Sequence, residues 1–179
     1  LQLGGALCVA FLAPAMGAIA DAAGPRKPWI GGFALALVAG CLGLWMVTPG
    51  LDPLWPLIVF FLLAFVGSEF MLIFVYAMLP DLGPRAGIGR LPGSGWAMGY
   101  AGGVVVLLVV LAVIAPSGDT GRTLLGIAPL FGLDPALGEP QRVMGPLTAL
   151  WFAVFALPLF LFTPDVPRKL GLGRAVSTG

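Results

Sequence analysis

Few residues in this sequence can do chemistry, and each stands out against an apolar background. Glu69 lies inside an apolar run from 54 to 79 and is the only ionisable residue well within any such run. At helical rise it falls about 4 Å from the middle of that run. Tyr76, two helical turns later, shares its face, with Phe65 and Ser68 close beside it. An ionised carboxylate at mid-depth in a bilayer is costly and usually faces an interior cavity, and taking up a proton relieves the cost. Glu69 is therefore a candidate for reversible protonation or for contact with a substrate amine. The plainer reading is a structural carboxyl hydrogen-bonded to Ser68 or to nearby backbone. Tyr76 and Tyr100 are candidate hydroxyl donors for a cavity, although an aromatic in a span more often serves packing.

The second polar feature is the stretch Gly17 to Lys27, wedged between two apolar runs. Asp21 stands at the C-terminal end of a helix, where the negative pole of the macrodipole disfavours a carboxylate, so it needs a positive partner. Arg26 and Lys27 are near. They also suit a simpler role as anchors of a loop at the membrane surface.

These residues need elements to carry them, and composition decides the kind. Of 179 residues, 59% are hydrophobic and 9% charged, with a mean hydropathy of +1.04. Soluble domains are nearer one quarter charged. The expected fold is an all-α integral membrane bundle with five transmembrane helices at 1–20, 29–47, 54–79, 95–115 and 147–162. Each run is long enough, or nearly so, for a hydrocarbon layer about 30 Å thick. Small residues at Gly32, Ala36, Gly40 and Gly43 place a smooth stripe on the second span, and Gly95, Gly99 and Gly103, four apart, allow close helix approach. Residues 116–146 form a long loop in which Asp134-Pro135 can start a short helix, with Asp as cap and Pro in the first turn. Residues 164–179 read as a basic linker.

Several classes fall away. The net charge of +1 and the lack of a basic patch interleaved with aromatics leave no nucleic-acid partner. There is no histidine, and Cys8 and Cys41 lie in apolar runs, so neither a disulfide, a metal site nor a cofactor is expected. Gly118-Asp-Thr-Gly-Arg-Thr lacks the lysine and spacing of a phosphate loop. No nucleophile–base set supports an enzyme.

The stretch Gly-x-x-x-Asp-x-x-Gly followed by basic residues, here Gly17, Asp21, Gly24, Arg26 and Lys27, resembles the signature loop between the second and third helices of the major facilitator superfamily. Ala22 and Pro25 stand where that family often has basic residues. Leu79-Pro-Asp-Leu82, Arg90 and the string Gly93 to Gly103 are similar to the vacuole effluxer-like branch, relatives of an autophagy-linked amino-acid effluxer. Gly95, Gly99, Gly102 and Gly103 resemble the glycine-rich motif of the family's fifth helix, with Tyr100 in place of its usual proline. The resemblance implies helices two to six of a six-helix N-terminal half, followed by a missing C-terminal half. It implies a secondary transporter working by alternating access on a small solute, amino acids being the solute suggested; proton coupling is suggested separately, by Glu69. Asp21 and its loop would then gate the conformational change. A non-transporting membrane scaffold or a membrane-embedded lipid enzyme is the alternative, though a lipid enzyme would want clustered acidic or histidine residues at headgroup level.

Five spans place loops 21–28 and 80–94 and the C-terminal tail on one side. That side holds Arg26, Lys27, Arg85, Arg90, Arg168, Lys169 and Arg174, and the other only Arg122 and Arg142. The excess assigns the first side to the cytoplasm. An external first residue then implies a span upstream. Low Lys with high Ala, Gly, Pro and Leu suits a high-GC bacterium, and hence its inner membrane.

Overall fold

A computed structural model describes residues 2–22, 24–50, 53–82, 90–116 and 121–165. Arg85, Asp119 and the tail beyond 165 lie outside the described residues, as do the side chains of Cys8, Asp21 and Arg90. The chain is all-α. Its long helices are α1 (Gln2–Ala22), α2 (Lys27–Gly43), α3 (Trp55–Leu82), α4 (Arg90–Val113) and, after a single turn α5 (Glu139–Arg142), α6 (Met144–Phe162). Among the described residues, four apolar stretches are long enough to cross a membrane: Lys27–Met46, Trp55–Pro80, Gly93–Val113 and Glu139–Phe162. In α1 the apolar stretch Gly4–Ala20 is shorter.

Helix α1 continues through Gly17 and Asp21, so half of the polar stretch is helical and the connection to α2 is only 23–26. Gly24 sits there with φ +71, a left-handed conformation that glycine adopts without a Cβ penalty and that commonly ends a helix. Pro28 lies in the first turn of α2, where its missing N–H has no cost.

The centre of the bundle is the α2–α3 pair. Trp29 stacks on Phe74 with ring centroids 5.5 Å apart, and Phe33 packs on both Phe70 and Phe74. Ala20, Ile30, Phe74 and Met78 form a fully enclosed cluster where α1, α2 and α3 meet. In lipid there is no hydrophobic force between apolar helices, so close van der Waals contact decides. Two glycines provide it reciprocally. A Cβ on Gly40 would lie 2.5 Å from the Ala64 nitrogen, and one on Gly67 would lie 2.8 Å from the Phe33 carbonyl oxygen. Gly40 and Gly43 of the expected stripe therefore serve this interface, whereas Gly32 is exposed with nothing within 4 Å.

At the opposite end, the Arg142 guanidinium donates to the Trp45 carbonyl through Nε, at 2.9 Å, and through Nη2, while lying 4.8 Å over the Trp45 ring. This fastens α5 and the start of α6 to the 3-10 turn Leu44–Met46 that follows α2. The long loop folds back beside it: the Leu124 N–H donates to the Leu111 carbonyl, and Leu133 packs on Val110 of α4 and on Ile114 just past its end. Asp134 caps a single 3-10 turn, Pro135–Leu137, its carboxylate accepting from Ala136 N–H at 2.8 Å.

Outward surfaces of the helices are apolar. Phe11, Leu161 and Phe162 are 83%, 68% and 81% exposed, as suits helices set in lipid.

Candidate functional site

Two places bring together the residues singled out in the sequence. The first is the face of α3 turned away from α2. Helix α3 meets α2 through Phe60, Ala64, Gly67, Phe70 and Phe74, and meets α1 where Phe65 and Leu62 pack on Gly5. At 100° per residue, Glu69 lies within about 40° of both Phe65 and Leu62, so it shares the α1-facing side of the helix. It is half-buried and accepts no hydrogen bond among the described residues. Ser68 is not its partner, because that hydroxyl donates back to the Phe65 carbonyl at 2.7 Å. Tyr76, on the same face, is 40% exposed.

Beyond Glu69, Tyr76 enters a groove of about 410 Å³ between α3 and α4. Leu72, Val75, Tyr76 and Leu79 form one wall, and Gly95, Trp96 and Gly99 form the other. Tyr100 packs on Trp96 with centroids 5.8 Å apart and does not line the groove; it is 70% exposed. The α4 glycines leave an open surface: a Cβ on Gly95, Gly99, Gly102 or Gly103 would meet nothing within 4 Å. Glu69 is not on the groove wall.

The second place is the corner between the start of α2 and the end of α6. Asp165, three residues past α6, accepts Arg26 N–H at 2.9 Å and Lys27 N–H at 3.1 Å through its two carboxylate oxygens. It thereby caps the positive end of α2, in space rather than in sequence. Lys27 does the converse, its ammonium donating to the Phe160 carbonyl at 2.8 Å in the last turn of α6, where a cation suits the negative pole. Each helix end supplies the charge the other lacks. Asp165 was not singled out from the sequence. The available signal was an acid just past an apolar run, with Arg26 and Lys27 expected at the same membrane face. No cluster of metal-ligating side chains occurs among the described residues.

Fold and surface together define a polytopic α-helical integral membrane protein. The chain is similar to the uncharacterized MFS-type transporter YxiO of Bacillus subtilis (strain 168), at 24% identity over 151 residues, which cover 84% of this chain and 32% of the relative. It thus spans about a third of the length of the relative it matches. No family model and no solved structure matches. The likeness and the apolar helices are compatible with a transporter and support the major facilitator superfamily, without selecting a branch within it.

Proposed function

We propose that this chain is part of a major-facilitator-type secondary transporter that moves a small solute by alternating access against a second helical half. The observation that carries this is Glu69: a half-buried carboxylate near the middle of a membrane-crossing helix, without a hydrogen-bond partner among the described residues and on the same face as Tyr76. A carboxylate kept in such a place needs a compensating role, and proton carriage or contact with a substrate amine supplies one. Tyr76 would add a hydroxyl to the groove between α3 and α4, and Tyr100, exposed beside Trp96, would add one to a cavity completed by the second half. The open glycine face of α4 would receive a helix of the second half, and the connection carrying Asp21, Gly24, Arg26 and Lys27 would gate the change of state. The α2–α6 corner ties Arg26 and Lys27 of that connection to the end of α6.

The strings 79–82 and 93–103 favour the vacuole effluxer-like branch, which makes amino acids the first solutes to test. The distribution of Arg and Lys favours a cytoplasmic α2–α6 corner, and the low-Lys, Ala- and Gly-rich composition favours a bacterial inner membrane. The test is uptake into proteoliposomes holding the full-length protein, with and without a proton gradient. Gradient-dependent uptake should vanish in Glu69→Gln while expression is unchanged. Full gradient-driven uptake by that variant refutes the role of Glu69, and no uptake of any small solute refutes the transporter reading.

A further inference from the structure

On the far side of α6 from Trp151 runs a groove of about 310 Å³ between α2 and α6. One wall is the i, i+3, i+4, i+7 face Gly31, Ala34, Leu35 and Val38, and the other includes Phe152 and Phe160. Both walls belong to stretches that cross a membrane, so the groove lies in hydrocarbon. It is almost wholly apolar along its length, yet its end is not. Lys27 is one turn before Gly31 on the same face of α2, and its ammonium is held at the lip by the Phe160 carbonyl. An ammonium has three donors. Among the described residues the Phe160 carbonyl alone accepts from this one, so two N–H groups point elsewhere.

A cation at one end of an apolar slot, at the depth where α2 begins and α6 ends, suits an amphiphile with an anionic head and an apolar tail. We propose that this groove binds an anionic phospholipid of the surrounding bilayer, with one acyl chain laid between α2 and α6 and the phosphate on Lys27. A free anion would leave the apolar slot unfilled, and an uncharged chain would leave the two remaining ammonium N–H groups without an acceptor. Gly31 keeps the slot open, since a Cβ there would already touch the Phe160 ring at 3.7 Å and a larger side chain would occupy the channel. The site does not depend on the transport reading; it requires only that the helices lie in a bilayer.

The test uses the full chain in vesicles doped with phosphatidylglycerol, or in separate samples phosphatidylcholine, carrying a photoactivatable group on one acyl chain, with labelled residues mapped by mass spectrometry. Phosphatidylglycerol should label residues 31–38 and 152–160 roughly fivefold more than phosphatidylcholine, as one surface cation warrants. Lys27→Gln keeps a donor for the Phe160 carbonyl but removes the charge, and should abolish the preference. Lys27→Arg should restore it, and Gly31→Leu should reduce labelling by both lipids. Equal labelling by the two lipids in the unmodified chain overturns the phosphate site. Absence of label from 31–38 and 152–160 while other helix faces are labelled shows that protein covers the groove, and overturns the proposal altogether.

Discussion

Asp165→Ala separates the two helix ends that exchange charge at the α2–α6 corner. The substitution removes the acceptor for the Arg26 and Lys27 N–H groups, which hydrogen-bond the carboxylate at 2.9 and 3.1 Å. Loss of a capping acceptor costs about 1 kcal/mol, and loss of an anion from a partly buried helix N-terminus adds a comparable amount. The total of about 2 kcal/mol corresponds to roughly a thirtyfold rise in local opening, at about 1.4 kcal/mol per factor of ten. Amide hydrogen exchange followed by mass spectrometry on the full chain in nanodiscs reads this opening directly. Peptides containing Arg26 and Lys27 should exchange about 10- to 30-fold faster, while those from the Phe70–Met78 part of α3 stay protected. Asp165→Asn retains an acceptor oxygen and loses only the charge, so it should fall between the two. Unchanged exchange at 26 and 27 in the alanine variant would refute the cap.

Gly40→Leu must clash with the Ala64 nitrogen and the Phe60 carbonyl, both backbone atoms that cannot swing aside. It should destabilise the chain by about 1–3 kcal/mol or more in thermal unfolding, whereas Gly99→Leu, with open space before it, should leave the stability of this chain within about 0.5 kcal/mol. Equal effects would show that the two glycine sets are alike. Arg142→Lys keeps the charge but cannot reproduce the two-pronged donation to the Trp45 carbonyl together with ring stacking. It should lose about 1–2 kcal/mol, seen as faster proteolysis in the 121–143 segment, and wild-type resistance would contradict the fastening role.

Much of the architecture was legible because hydrocarbon imposes a simple rule. Without water to satisfy backbone groups, an apolar run of about twenty residues has helix as its outlet. Composition, the lack of histidine and the isolation of Glu69 therefore carried directly into an all-α membrane protein with one conspicuous carboxylate. Asp134 followed equally local rules, capping its turn through a hydrogen bond two residues along the chain. Boundaries were less legible where polar residues sit within a helix: Asp21 and Gly17 read as a turn, but α1 runs on to Ala22 because the peptide hydrogen bonds persist beyond the apolar stretch.

Glycine spacing alone does not say which smooth face packs within this chain. Gly95, Gly99 and Gly103 have the more regular pattern and face open space, while Gly40, Gly67 and Gly145 are positions where a Cβ would meet backbone of another helix or turn. Spacing states only that a helix face is smooth; which smooth face finds a neighbour depends on all the helices at once. The same limit hid the link between Asp165 and Lys27, 138 residues apart in sequence. What the residues determined alone was the solvent they require and the helices they form, since both follow from hydrophobicity and short-range hydrogen bonding. Tertiary structure decided which glycines meet backbone, which acid caps which helix and where a cation closes an apolar groove, because those outcomes rest on distances between segments that no local pattern contains.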